Sequence, residues 1–243
     1  TVIEENAFTG CTGLPSITLP TSLMSIGDYG FHGCKSLKSI SFPNSLGSIG
    51  KYCFYECTEL EEIGNLEVLR NINKYAFYGC SNVKGDLTFN KKIYNLDEGA
   101  FMGCSGVTSV TFQNIATEKV SIKKQAFDSC TSLEKVTLAN GIFRIYEKAF
   151  SKCVKLEEIT TLDGLGTIGS GAFQGCESMK KAVIASTVET MGDSVFCSCR
   201  SLDSVYACME NPCPLGKDAF KGISDKCVLM VLYDKKATYV AAG

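Results

Sequence analysis

The stretch Ile26-Gly27-Asp28-Tyr29-Gly30-Phe31-His32-Gly33-Cys34-Lys35-Ser36-Leu37-Lys38-Ser39-Ile40-Ser41-Phe42-Pro43 carries one complete unit of a repeat. Its phenylalanine returns as Phe8, Phe54, Phe77, Phe101, Phe127, Phe150, Phe173, Phe196 and Phe220, at intervals of 23 to 26 residues. A cysteine stands three positions after each of the first nine, from Cys11 and Cys34 through Cys57, Cys80, Cys104, Cys130, Cys153 and Cys176 to Cys199. An aliphatic residue precedes each phenylalanine by five positions, as in Ile3, Ile49, Leu96, Ile145 and Met191. A leucine, valine or methionine follows by six, and from it run pairs such as Ile40 and Phe42 or Val110 and Phe112. The unit reads I-x-x-A-F-x-x-C-x-x-L-x-x-I-x-L. A fixed period in the low twenties is the mark of a solenoid. One unit of this length cannot bury its apolar face alone, so its neighbours must cover it on both sides.

Each part of the unit has a local reading. The I-x-L segment alternates apolar and polar residues, which makes a strand with one buried face. The A-F-x-x-C step has the spacing of one helical turn and predicts a short helix or a 3₁₀ turn. Pro20 and Pro43 follow strands, where the missing amide does no harm. Together these predict an α/β-type repeat solenoid, with its strands in one parallel sheet and its short helical or 3₁₀ turns opposite. Ten coils at about 4.8 Å each would stack to about 50 Å.

The quoted stretch resembles the leucine-rich repeats of the BspA-like class, also called the Treponema pallidum type, and the resemblance runs over nearly the whole chain. It implies a right-handed coil with the sheet on the concave face. Residues 1–206 form the solenoid of about nine units, and residues 207–243 a final degenerate repeat and C-terminal cap. The segment from Cys227 to Tyr239 resembles the closing strand and short helix of that class, although Val231-Leu232 stands where a Val-Pro pair is usual. The resemblance also implies a bacterial protein, extracellular or on the cell surface, and a non-catalytic adhesion module with a protein or glycan ligand such as extracellular matrix. The alternative is a structural surface spacer with no ligand of its own.

Three irregular copies are the expected places for bulges or protruding loops. The fourth unit has an extra residue near Gly85, the fifth-to-sixth interval has additional residues at Gln113 to Lys119, and the tenth unit carries Ile223 in place of the cysteine. Net charge is −2 and the basic residues are scattered along the chain, so no stripe for a phosphate backbone is read and no nucleic-acid partner is expected. No apolar run approaches the roughly 20 residues of a membrane helix, which argues against membrane insertion by this chain. The chain opens inside a repeat at Thr1 without a methionine, as a piece of a longer protein does. Its first coil would then have an open edge.

Fourteen cysteines raise disulfides or zinc. Nine occupy one core-facing repeat position, where a thiol behaves as a small hydrophobe. Stacked copies keep their Cβ vectors parallel, which disfavours bridging. Cys53 takes the small-residue slot. Cys208, Cys213 and Cys227 fall in the closing segment, where one disulfide is an alternative to free thiols. Cys197, Cys199, Cys208 and Cys213 lack paired zinc-knuckle spacing, so no metal is expected. The single histidine, His32, reads as a surface turn residue. No nucleophile elbow, phosphate-binding loop or metalloprotease helix is present. Catalytic residues and cofactors are accordingly expected to be none.

What remains is a surface. Two columns of side chains flank the buried position of the I-x-L strand and point outward. Candidate ligand-binding residues from the first are Ser39, Glu62, Asp86, Ser109, Lys135, Glu158 and Lys181. From the second come Ser41, Thr88, Thr111, Thr137, Thr160 and Tyr206. Hydroxyl ladders with interspersed charges can hydrogen-bond an extended peptide or a glycan. A competing surface is a convex aromatic ridge at the phenylalanine turn, with Tyr29, Tyr52 and Tyr75 at one repeat position and Tyr55 and Tyr78 nearby.

Overall fold

The computed structural model describes residues 1–113 and 119–241. Each of the eight inner coils contributes two short strands and each end coil one, and coil stacks on coil with all neighbours parallel. The first row is Val2–Ile3, Ser25–Ile26, Ser48–Ile49, Asn71–Ile72, Asn95–Leu96, Val120–Ile122, Ile142–Ile145, Thr167–Ile168 and Thr190–Met191. These form one nine-stranded sheet. Its apolar residue lies at the aliphatic position five before each phenylalanine, and Ile49, Ile72, Leu96, Ile122 and Ile145 are fully buried there.

The second row uses the I-x-L segment and falls into three sheets. Ser39–Ile40 pairs with Glu62–Ile63. Gly85–Phe89, Val107–Phe112 and Lys135–Thr137 make the next sheet. Glu158–Thr160, Lys181–Ile184, Ser204–Ala207 and Val228–Val231 make the last. After Glu62–Ile63 the chain enters a 3₁₀ turn at Leu66–Val68, where the Asn65 side chain accepts from the Glu67 amide. Gly64 lies so close to Phe42 that a Cβ there would stand 2.5 Å from its amide nitrogen. That local turn chemistry ends the first sheet.

The A-F-x-x-C segment is the main departure from the expected geometry, because it is a string of turns and not a helix. The residues two before and two after every repeat phenylalanine have φ between 54° and 76°. Twelve of these positions carry a side chain, Tyr29, Tyr52, Glu56 and Lys148 among them, so the stacking of coils and not glycine alone enforces the conformation. The left-handed residues aim successive amides alternately along and within the coil. Tyr29, Phe31 and Gly33 donate to the carbonyls of Lys51, Cys53 and Tyr55 in the next coil at 2.8 to 2.9 Å. Gly30, His32 and Cys34 donate to Gly27, Tyr29 and Phe31 of their own coil at 3.1 to 3.2 Å. From Tyr29 to Cys34 every amide is satisfied, as a buried backbone requires, and the turns become a further ladder along the stack. The i to i+3 spacing that suggests a helix is here the spacing of consecutive turns.

The core is a column of ten phenylalanine rings from Phe8 to Phe220, with neighbouring centroids 4.9 to 5.7 Å apart and planes within 12° of parallel. The widest step, 5.7 Å, separates Phe101 from Phe127, across the longest interval of the repeat. Phe89 and Phe112 of the second row pack edge-on or tilted against these two rings and fill the wider coil. The cysteines stand beside this column. Each thiol from Cys34 to Cys199 donates to the carbonyl of the preceding coil's phenylalanine at 2.9 to 3.3 Å, beginning with Cys34 to Phe8. The repeated spacing therefore supplies a hydrogen-bond donor as well as an apolar volume. Cys11 is the exception and is exposed. Burial pushes the Cys57 thiol up to about 12 and that of Cys34 to about 11. Burial likewise lifts Cys53, Cys80, Cys104, Cys130, Cys153 and Cys176 well above the thiol range.

The irregular copies are accommodated locally. Register slips between Gly85 and Asp86, so that Thr108 is the extra residue of the facing strand. A second slip between Val120 and Ser121 leaves Phe143 opposite the gap. Of the additional residues at Gln113 to Lys119, 114–118 lie outside the described residues. Ile223 is half-buried against the core in place of the tenth cysteine. Near the C-terminal end, Tyr239 from the helix Lys236–Ala241 donates its hydroxyl to the Met209 carbonyl at 3.2 Å. Between them is an apolar cavity of about 410 Å³ lined by residues that include Val205, Cys213, Phe220 and Leu229.

Candidate interaction surface

The second row holds the candidate residues, and its register decides which of them meet. Ser39 lies opposite Glu62. In the middle sheet Asp86, Ser109 and Lys135 form one column, and Thr88, Thr111 and Thr137 form the other. In the last sheet Glu158 lies opposite Lys181, while Thr160 leads through Val183 to Tyr206. All are exposed or half-buried, and the residues between them, such as Leu87, Val110 and Ile159, are buried. Ser41 lies just past the end of its strand. The structure thus brings twelve of the thirteen candidates into strand columns, but in three groups and not in one continuous ladder.

Within the columns some side chains are already engaged. Ser109 and the bulged Thr108 both donate to one carboxylate oxygen of Asp86, the latter at 3.3 Å. The Lys181 ammonium sits 5.1 Å from the centre of the Tyr206 ring, a cation–π contact that holds both at the end of the row. Thr88, Thr111 and Thr137 carry the least committed hydroxyls. An exposed strand column of this kind offers donors and acceptors about 4.8 Å apart, the repeat of an extended chain.

The tyrosine turn forms a second, separate feature. Tyr29, Tyr52 and Tyr75 stack at 5.1 and 5.3 Å. His32, Tyr55 and Tyr78 stack beside them at 5.2 and 4.7 Å, and the two columns meet ring to ring at 5.7 to 6.0 Å. His32 therefore heads an aromatic column, a role its neighbours in sequence do not reveal. Tyr29, Tyr52 and Tyr75 occupy left-handed positions, a cost of about 1–2 kcal/mol for a residue with a Cβ. The stacking offsets about 0.5–1.5 kcal/mol per pair. Tyr75 lies over Gly99, where any Cβ would strike its ring, and its hydroxyl donates to Glu98 at 3.0 Å. Burial and then that bond push Tyr75 up to about 12. All six rings are half-buried, and their faces are taken up by each other.

Among the described residues there is no cluster of His, Cys, Asp and Glu arranged to hold a metal ion, and no helix is long and apolar enough to cross a membrane. The fourteen thiols, Cys208, Cys213 and Cys227 included, are free.

The model of the BspA type leucine rich repeat region matches this sequence in six copies, over residues 1–119 and 106–226. No curated protein matches it. Among solved structures, a leucine-rich repeat protein from Bacteroides ovatus is 21% identical, with 95% of this chain and 75% of that one covered and a TM-score of 0.46. A leucine rich cell surface protein from Faecalibacterium prausnitzii is 20% identical over 99% and 85%, with a TM-score of 0.49. The T. pallidum leucine rich repeat protein is 20% identical over 100% and 87%, with a TM-score of 0.41.

Proposed function

The chain belongs to the BspA-type leucine-rich repeat family, and on that premise we propose that it is a non-catalytic interaction module, extracellular or on a bacterial cell surface, that holds a protein or glycan partner along its second strand row. Leucine-rich repeat proteins generally bind proteins, and extended strand rows on a rigid stack are how solenoids present a surface. The observation that carries the reading is the pair of columns Asp86–Ser109–Lys135 and Thr88–Thr111–Thr137, in register on adjacent strands. Residues 1–206 supply this surface, and residues 207–243 close the stack. The supported substrate of the row is an extended ligand able to accept and donate hydrogen bonds at each coil.

The experiment is a binding screen of the purified chain against immobilised fibronectin, fibrinogen and a glycan array. A saturable signal that Thr111→Lys with Thr137→Lys abolishes supports the reading. A blank from folded, monomeric protein favours a surface spacer.

A further inference from the structure

A different part of the surface gathers positive charge that the sequence disperses. Arg70, Lys91, Lys92 and Tyr94, with Asn71 and Ile93, line an open hollow of about 480 Å³ where the fourth coil turns into the fifth. Arg70 and Tyr94 are neighbours in the first-row ladder, because the amides of Tyr94 and Asn95 both donate to the Arg70 carbonyl, at 2.8 and 3.0 Å. The same ladder continues through Leu96 and Ile122 to Ile145. There Arg144 packs its guanidinium 5.6 Å from the ring of Phe143, and the Lys119 ammonium lies 6.0 Å from the same ring. The cations and rings thus follow one another along the stack over about 15 Å. Elsewhere on the surface Lys74, Lys84 and Lys124 have carboxylates at 2.9 to 3.1 Å. Among the described residues no such partner stands beside Arg70, Lys91, Lys92 or Arg144. The nearby Glu67 carboxylate accepts instead from Asn90 at 3.2 Å.

We propose that this shelf is a binding site for an anionic polysaccharide, one bearing sulfate or carboxylate groups on successive sugars. The cations fall on four successive coils, one or two to a coil, so they match a chain with repeated anionic groups and not a single compact anion. Tyr94 is 70% exposed, which leaves an aromatic surface for the apolar C–H face of a pyranose. Lysine ammonium groups are mobile point charges suited to sulfate and carboxylate alike. An acidic peptide fits less well, since the ladder already uses the backbone groups of Tyr94 and Asn95 and offers none to a peptide main chain. A nucleic-acid duplex asks for a longer basic stripe than this one. The shelf is distinct from the second strand row, and the proposal stands apart from the function assigned to that row.

The test is surface plasmon resonance with a sulfated heparin-derived hexasaccharide, neutral dextran, polyglutamate and a single-stranded DNA oligonucleotide as probes. The expected result is saturable binding of the hexasaccharide, no binding of dextran, and much weaker responses to polyglutamate and DNA. Affinity falls on the order of tenfold or more between about 50 and about 300 mM salt, as counterion release requires. Arg70→Glu with Lys92→Glu abolishes binding while the unfolding midpoint holds. Tyr94→Ala weakens binding with the salt slope unchanged, and Thr111→Lys with Thr137→Lys leaves it intact. Equal binding of polyglutamate or DNA, or undiminished hexasaccharide binding by the folded Arg70→Glu, Lys92→Glu variant, overturns the proposal.

Discussion

The turn column and the second strand row are built by the same coils, yet one runs unbroken while the other is in three pieces. The column stacks a ring on a ring from Phe8 to Phe220, and eight consecutive cysteines repeat one hydrogen bond beside it. The row shortens to two residues at Ser39–Ile40, lengthens to six at Val107–Phe112, slips at Gly85 and stops at Gly64. The difference follows from what each region must satisfy. A column buried on all sides has one packing solution, and every coil repeats it. A row with one free face is constrained only at its inward residues, so its outward residues and its length are open to variation. Stability is concentrated in the first region, and contact chemistry is available to the second.

Alkali should show the largest effect, because it acts chiefly through the thiols buried in the core. The eight thiols whose acidity burial suppresses remain protonated in the fold and ionise near 9.0 once exposed. Unfolding therefore releases protons at high pH. The stability these groups contribute is complete below pH 9 and is lost as pH rises through the interval toward the folded values, at about 1.4 kcal/mol per pH unit for each thiol. Urea midpoints measured from pH 8 upward should fall steeply above about pH 9, whereas a flat profile would show that the thiols are not buried together. Next, Phe101→Ala deletes a ring fully buried between Phe77 and Phe127 and should cost about 3–5 kcal/mol in urea denaturation. Cys104→Ala removes the donor to Phe77 and should cost about 1–2 kcal/mol, with Cys104→Ser recovering part by keeping a donor. Smallest of all, Thr137→Ala in the exposed row should stay within about 0.5 kcal/mol of the parent. A row substitution as costly as Phe101→Ala would erase the distinction between the two regions.

The phenylalanine and cysteine period made the solenoid legible, because a packing solution repeated ten times leaves an equal trace in the sequence. The outward columns were legible too, since alternation around Val110 and Ile159 fixes which neighbours face away. Two features were not. The first-row strands are mostly pairs such as Ser25–Ile26, too short to show any alternation, so their aliphatic residue read as a core position without a strand. The left-handed turns were masked by their composition, because Tyr52, Gln125 and Lys148 occupy positions where only glycine would have announced the conformation. The basic shelf was hidden for a related reason. Arg70, Lys92 and Arg144 are scattered along the chain and come onto one shelf only when coils stack.

Binding and unfolding measured on the same samples of the Thr111→Lys, Thr137→Lys variant test the division between holding and contact most directly. The account predicts an unfolding midpoint close to that of the parent and loss of the saturable signal seen on fibronectin, fibrinogen or uncharged glycans. Retained binding to those surfaces by a variant with its fold intact would contradict it.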